Sequence, residues 1–212
     1  MKLLSLLGLV FVLAACGGTG GNTHATTSAR GCTAVSPPAG KPRSEPKPTA
    51  ALDPSKTYDV TLRTNCGSFT ISLAVQTSPA TTASFVSLVR KGFFDHTVFH
   101  RIVPGFVIQG GDPTGTGTSG PGYETVDKPP ASTSYTHGVV AMAKTPTEAP
   151  GTSGSQFFVV TAQNAQLTPD YAVLGKVTSG LAVVDAIGKL GDPSTEQPTE
   201  TVEIESATVS VH

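Results

Sequence analysis

No apolar run in these 212 residues is long enough to cross a bilayer as a helix. Such a span needs roughly 20 apolar residues, and the longest candidate, "LLSLLGLVFVLAA" at 3–15, stops short of that. Excess positive charge is missing too. From residue 56 onward, nine Lys and Arg face thirteen Asp and Glu, a formal balance of −4. That balance argues against a nucleic-acid surface. No internal repeat is present, and no pair of carboxylates has acid–base spacing.

Three further absences bear on chemistry. The stretch "GDPTGTGTSGPG" (111–122) contains Gly115-x-Gly117-x-x-Gly120, but a dinucleotide fingerprint needs a helix to follow it. Here Pro121-Gly122 follows instead, and no Lys-Ser/Thr makes a phosphate loop. Five His stand at 24, 96, 100, 137 and 212. His96 and His100 are four apart, a metal-binding spacing only on a helix, and "TVFHRIV" reads as strand. Ser153 in "GTSGSQFF" has no identifiable His-Asp context. Neither a metal, a cofactor nor a nucleophile is therefore expected.

The N-terminus has the architecture of an export leader. Lys2 precedes the apolar run, and small residues end it. "LAAC" (13–16) resembles the lipobox of bacterial lipoproteins, in which the Cys becomes the acylated first residue. The reading is a leader over 1–15, Cys16 as lipidation site, and anchorage to the bilayer on the extracytoplasmic face of the cell membrane. Residues 16–55, with "SPPAGKPRSEPKP", have no apolar period and read as a tether. Cys32 and Cys66 then remain. In an oxidising compartment an even pair suits a disulfide; two unpaired thiols are the alternative.

Residues 56–212 make one domain. "YDVTLRTN" (58–65) and "SFTISLA" (68–74) alternate with period 2 around Cys66-Gly67, which predicts a hairpin. "SPATTASFVSLVRKG" (78–92) has Ser78 as candidate N-cap, Pro79 in the first turn and Gly92 as stop, a helix. A second helix is expected over 179–191. Short strands follow at 97–103, 106–110, 138–143, 156–161 and 172–178, and 201–212 alternates again. Many short strands with Gly and Pro turns argue for an antiparallel barrel or sandwich.

One polar constellation stands out. Period 2 puts Phe99, Arg101 and Val103 on one face, and Gln156 with Phe158. Polar forks beside aromatics suit a small apolar pocket with a hydrogen-bonding rim. An arginine that only snorkels from a strand is the alternative.

"FHRIVPGFVIQGGDPTGTGTSGPGY" and "GSQFFVVTA…LTPDYAVLGKV" resemble the cyclophilin family of peptidyl-prolyl cis/trans isomerases. The resemblance covers residues 56–212 and is nearest to secreted, lipoprotein-type actinobacterial members. It implies a mainly β fold: an eight-stranded antiparallel closed barrel capped by two helices, with the site on the outside. Carried over by motif, Arg101 is the catalytic arginine, with Gln109 and Phe106. Val107, Phe158 and Leu167 would line the proline pocket, and Gln156 and Ala143 would hold substrate backbone. Lys144, Gln166 and Tyr171 complete the rim. Val107 stands where members often have Met, Gln166 where they have Trp, and Tyr171 where they have His. The segment 143–154 is longer, with Lys144 in place of Asn. The implied function is isomerisation of X-Pro bonds in exported proteins by a cofactor-free monomer that assists folding. A proline-peptide-binding module or holdase with little turnover is the competing reading, and a structural anchor a third.

Overall fold

The computed structural model describes residues 31–212; the leader and Cys16 lie outside them. The expected hairpin forms. Strand β1 (Tyr58–Thr64) pairs antiparallel with β2 (Gly67–Leu73), with Asp59 opposite Ser72 and Thr64 opposite Gly67. Its alternation is visible in burial: Val60, Leu62, Phe69 and Ile71 are fully enclosed. Helix α1 (Pro79–Arg90) begins with Pro79, whose missing N–H costs nothing in a first turn. Ser78 occupies the N-cap position, but its hydroxyl makes no capping bond. Instead Asp127 accepts from the Thr81 amide at 2.6 Å, a cap from 46 residues away.

Strands β3 (Thr97–Val98), β4 (Arg101–Val103) and β5 (Val107–Gly110) follow. Next come β6 (Thr125–Val126), β7 (Val139–Met142), β8 (Thr152–Ser153) and β9 (Phe157–Val160). The chain ends with β10 (Val173–Ser179), α2 (Leu181–Ile187) and β11 (Glu203–Val211). Helix α2 is shorter than expected, because Gly180 enters with φ 76° and Gly188 ends it.

Nine strands form one sheet in the order β3-β11-β1-β2-β10-β7-β9-β5-β4; β6 and β8 pair separately. Each of these neighbour pairs in the large sheet is antiparallel. Its two edges, β3 and β4, are separated in the chain only by Phe99 and His100. Edges so joined force the sheet to curl. They do not pair with each other, so the sheet is a curled half-barrel and not the closed eight-stranded barrel of the sequence reading. The expected strand 97–103 is broken for the same reason. The Phe99 amide donates to Val202 O at 2.9 Å, whereas the Ile102 amide donates to Glu196 O at 2.9 Å.

The concave face holds the core. Phe157 is its hub, with edge-on contacts to Phe85, Phe94 and Phe99 at centroid distances of 5.6, 6.0 and 6.0 Å. Each fully buried ring of this kind stabilises by about 1.5–3 kcal/mol relative to exposure. Because Phe157 points in, Gln156 and Phe158 must point out.

The described part of the segment expected as a tether lies along the domain. Cys32 is buried beside Cys66, with Cα atoms 4.0 Å apart. The Thr33 amide donates to Asn65 O at 2.8 Å. Arg43 donates to the carbonyls of Gly92, Phe93 and Asp95. Leu52 packs against the core. Among the described residues, no helix is long and apolar enough to cross a membrane.

Candidate active site

Strands β5, β7 and β9 bury apolar side chains on both faces, with Gln109 the polar exception, so packing forms in two layers. The inner layer is the core. On the outer face, Val107, Ala141, Phe158 and Val160 form a second apolar cluster with Tyr135; Phe106, Leu167 and Tyr171 pack against it. Tyr171 meets Phe158 edge-on at 5.4 Å and Tyr135 edge-on at 6.0 Å. The Tyr135 hydroxyl donates to Tyr171 O at 2.6 Å and accepts from the Tyr171 amide at 3.0 Å. Burial pushes the pKa of Tyr135 up to about 12. It therefore stays a neutral donor, and it fixes the loop that presents Tyr171.

Strand register places the polar groups. Arg101 lies opposite Gln109, Gln109 opposite Phe158, and Phe158 opposite Ala141. These four side chains cross the outer face in one row. Arg101 Nη1 donates to Gln109 Oε1 at 3.4 Å, and Gln109 Nε2 donates to Gln156 Oε1 at 3.1 Å. Gln156 Nε2 donates to Ser119 O at 3.0 Å. Close approach of two backbones holds this geometry. A Cβ on Gly111 (φ 88°) would sit 2.4 Å from Ser155 O, so only glycine fits there.

Sequence patterning placed Phe99 and Arg101 on one face; the structure separates them. Phe99 is fully buried in the core, and Arg101 points outward. The break between β3 and β4 resets the alternation. Residues missed by sequence reasoning also matter. Glu196 Oε2 accepts from Arg101 Nε at 2.6 Å, with side chains 34% exposed for Arg101 and 43% for Glu196. The partner lies 95 residues away in a turn with φ 59°, and no local pattern announces it. The bonds of the fork engage Nε and Nη1; among the described residues Nη2 donates to nothing.

The remaining rim residues divide. Ala143 and Lys144 join Gln109 and Gln156 around a cleft of about 540 Å³, whose opposite wall is the glycine-rich segment. Lys144 Nζ donates to the carbonyls of Thr145 and Glu148, both at 3.1 Å, and stands 5.6 Å over the Tyr171 ring. It is tied to its own loop. Gln166 is exposed, in a turn where its amide donates to Asn164 Oδ1 at 2.8 Å. The site thus has an apolar patch and a polar cleft, partitioned by the two glutamines.

Next to Arg101 in the chain is His100, 9% exposed, whose ring nitrogens have no hydrogen-bond partner among the described residues. Burial lowers its pKa, the Arg101 charge adds to that, and Asp112 opposes it. Burial works to raise the pKa of Asp112. Donors from Ser119, Thr114 and Gly117 outweigh this and hold the carboxyl below its usual range.

An outer-face arginine in line with two glutamines and a ring-sized apolar patch has no nucleophile and no acid–base pair. It suits a reaction that breaks no bond. The family model for cyclophilin-type peptidyl-prolyl cis-trans isomerases matches residues 59–209. The chain belongs to this family. A Gibberella zeae protein named peptidyl-prolyl cis-trans isomerase-like 1 is 38% identical to this cyclophilin over 157 residues, 72% of this chain and 95% of the relative. Peptidyl-prolyl cis-trans isomerase A of Mycobacterium tuberculosis is 37% identical over 175 residues, 74% and 94% of the two chains. A crystal structure of a Cryptosporidium parvum cyclophilin-type isomerase superposes with TM-score 0.67 at 29% identity, covering 73% of this chain and 98% of that one. A second crystal structure of it was obtained in the presence of the dipeptide Ala-Pro. The chain is a cyclophilin-type peptidyl-prolyl cis-trans isomerase.

Proposed function

We propose that this cyclophilin isomerises X-Pro bonds of exported proteins, acting as a monomer held on the extracytoplasmic face of the cell membrane by acylated Cys16. The observation that carries the catalytic part is the outer-face row Arg101–Gln109–Gln156 beside the Phe106, Val107, Phe158 and Leu167 patch. The prolyl ring enters the patch. Gln109 and Gln156, with Ala143, hold the flanking backbone. Rotation about the amide faces a barrier of about 18–20 kcal/mol. In the twisted transition state the prolyl nitrogen regains a lone pair, which the planar amide lacks. Arg101 Nη2 donates to that lone pair, so binding is stronger at the transition state than in the ground state. Glu196 and Gln109 occupy the other two nitrogens and fix the fork.

Support for the location is in the sequence: Lys2, the apolar run 3–15 and the "LAAC" junction. The juxtaposition of Cys32 and Cys66, 34 residues apart in sequence, fits an oxidised pair outside the cytoplasm. Replacing Cys16 with Ser tests the anchor. The variant moves from the membrane fraction to the medium, because stable anchoring takes two acyl signals or more. Unchanged fractionation contradicts the proposal.

A further inference from the structure

A strap, residues 33–50, lies along the domain outside the catalytic row. It has no regular secondary structure after Thr33, yet it is fixed at several points. At one end Cys32 lies beside Cys66 and Asn65 Nδ2 donates to Thr33 O at 2.8 Å. In the middle, the Arg43 guanidinium spans three carbonyls just past helix α1, those of Gly92, Phe93 and Asp95. Its carbon lies 6.0 Å from the centroid of the Phe93 ring. A planar fork shared among three acceptors resists sliding in a way that one contact does not. Lys91 adds an ion pair to Glu45 at 2.7 Å.

From this anchored position the strap grips the glycine-rich segment. The Lys41 amide donates to Pro113 O at 3.0 Å, and the Glu45 amide donates to Pro121 O at 2.9 Å. Lys47 Nζ donates to Glu124 O at 2.7 Å. The two backbones touch: a Cβ on Gly40 would lie 2.2 Å from Thr114 O. Residues Gly117–Glu124 of the gripped segment form the far wall of the cleft beside Gln109 and Gln156.

That wall needs help to keep its shape. It is rich in glycine, with positive φ at Gly115, Gly117 and Gly122, and such a chain has much conformational freedom to lose. Internally it is tied by Asp112, which accepts from the amides of Thr114, Thr118 and Ser119. On the cleft side, Ser119 O accepts from Gln156, which is bonded to Gln109, which accepts from Arg101. The strap therefore holds the same short segment, at Pro113 and Pro121, whose Ser119 carbonyl is bonded to the row of Gln156, Gln109 and Arg101.

We infer that the strap is a positioning element of the binding site: by holding Pro113–Glu124 from outside, it sets the wall that contacts substrate residues adjacent to the X-Pro bond. The inference rests on the isomerase reading. The strap makes this enzyme selective for extended peptide segments over short ones. Substrates that only fill the apolar patch depend on it little.

The test uses the full chain carrying Arg43→Ala, and separately Gly40→Ala, which pushes strap and wall apart without touching Arg43. NMR exchange gives kcat and KM for two substrates, N-acetyl-Ala-Pro-methylamide and a six-residue peptide with a central Ala-Pro. If release leaves the wall correctly placed about a tenth of the time, apparent affinity for the long peptide falls about tenfold. The loss is carried by KM, and the short substrate loses several-fold less. Amide hydrogen exchange at Thr118 and Ser119 accelerates, while that of the β1 and β2 amides does not. Equal losses for both substrates, with Thr118 and Ser119 still protected, would make the strap a stability element only and overturn the inference. So would variants indistinguishable from the parent. Failure of the unaltered protein to turn over either substrate removes the isomerase reading and the inference with it.

Discussion

Replacing Arg101 with lysine keeps the charge and removes the fork. Two nitrogens of Arg101 are engaged, Nε with Glu196 at 2.6 Å and Nη1 with Gln109 at 3.4 Å, and Nη2 is the one proposed to donate to the prolyl nitrogen. A lysine ammonium has one nitrogen on a flexible stem and must choose among them. Its nearest strong acceptor is the Glu196 carboxylate. A hydrogen bond from a charged group contributes about 1.5–3 kcal/mol, and each decade of rate is worth about 1.4 kcal/mol. Arg101→Lys should therefore lose about one to two decades in kcat/KM. The fold should be unchanged, because an ion pair this exposed contributes at most about 1 kcal/mol to stability. Adding Glu196→Gln should recover part of the loss, since the ammonium is then free to face the prolyl nitrogen. NMR exchange on an Ala-Pro peptide measures these rates without a coupling protease, and circular dichroism checks the fold. A lysine variant as fast as the parent would refute the reasoning, because charge alone would then suffice.

Acid should destabilise the fold through His100. Its folded pKa is lowered from 6.5, so the unfolded chain binds the proton more readily. Stability is then fully present above pH 6.5 and declines as pH falls toward the folded value, by at most about 1.4 kcal/mol per pH unit. Asp112 adds a loss in the same direction, but only below its ordinary value of 3.8. Urea midpoints measured against pH should show the first component in the parent and not in His100→Gln; identical profiles would rule it out. Gln166 stands where the family resemblance places a Trp that contributes to cyclosporin binding. Gln166→Trp should tighten that binding, and strong inhibition of the unaltered protein would contradict the expectation.

Much of the fold was legible where burial follows one period. The hairpin of β1 and β2 and the body of α1 are in that class, since each has one face inward. The capping of α1 was not, because Asp127 reaches Thr81 from another part of the chain. Two-residue strands such as β6 and β8 are too short to show any period. Phe99 was misplaced because alternation holds only along an unbroken strand, and the sheet's edges part at Phe99–His100. Arg101, Gln109, Gln156 and Phe158 were legible through their motifs, and register explains why they converge. Glu196 and Ser119 were not, since a turn carboxylate and a loop carbonyl acquire meaning only from what faces them. The strap looks like a tether in sequence for a sound reason. Proline-rich polar chain buries little, and what fixes this one is an arginine fork and backbone bonds that no pattern displays.

The catalytic claim is that Arg101 stabilises the twisted amide, and Arg101→Ala tests it most directly. Uncatalysed exchange takes tens to hundreds of seconds, so turnover in milliseconds needs roughly 7 kcal/mol of barrier lowering. A charged donor that the bound peptide shields from water supplies about 3–4 kcal/mol of that. The folded variant should therefore lose about two to three decades in kcat/KM, while its ground-state affinity for the peptide falls much less. Glu196, 43% exposed, can turn to water and should not unfold the protein. A folded Arg101→Ala protein that isomerises as fast as the parent would make Arg101 a snorkelling side chain. Two proteins that bind the peptide and isomerise nothing would make the molecule a holdase.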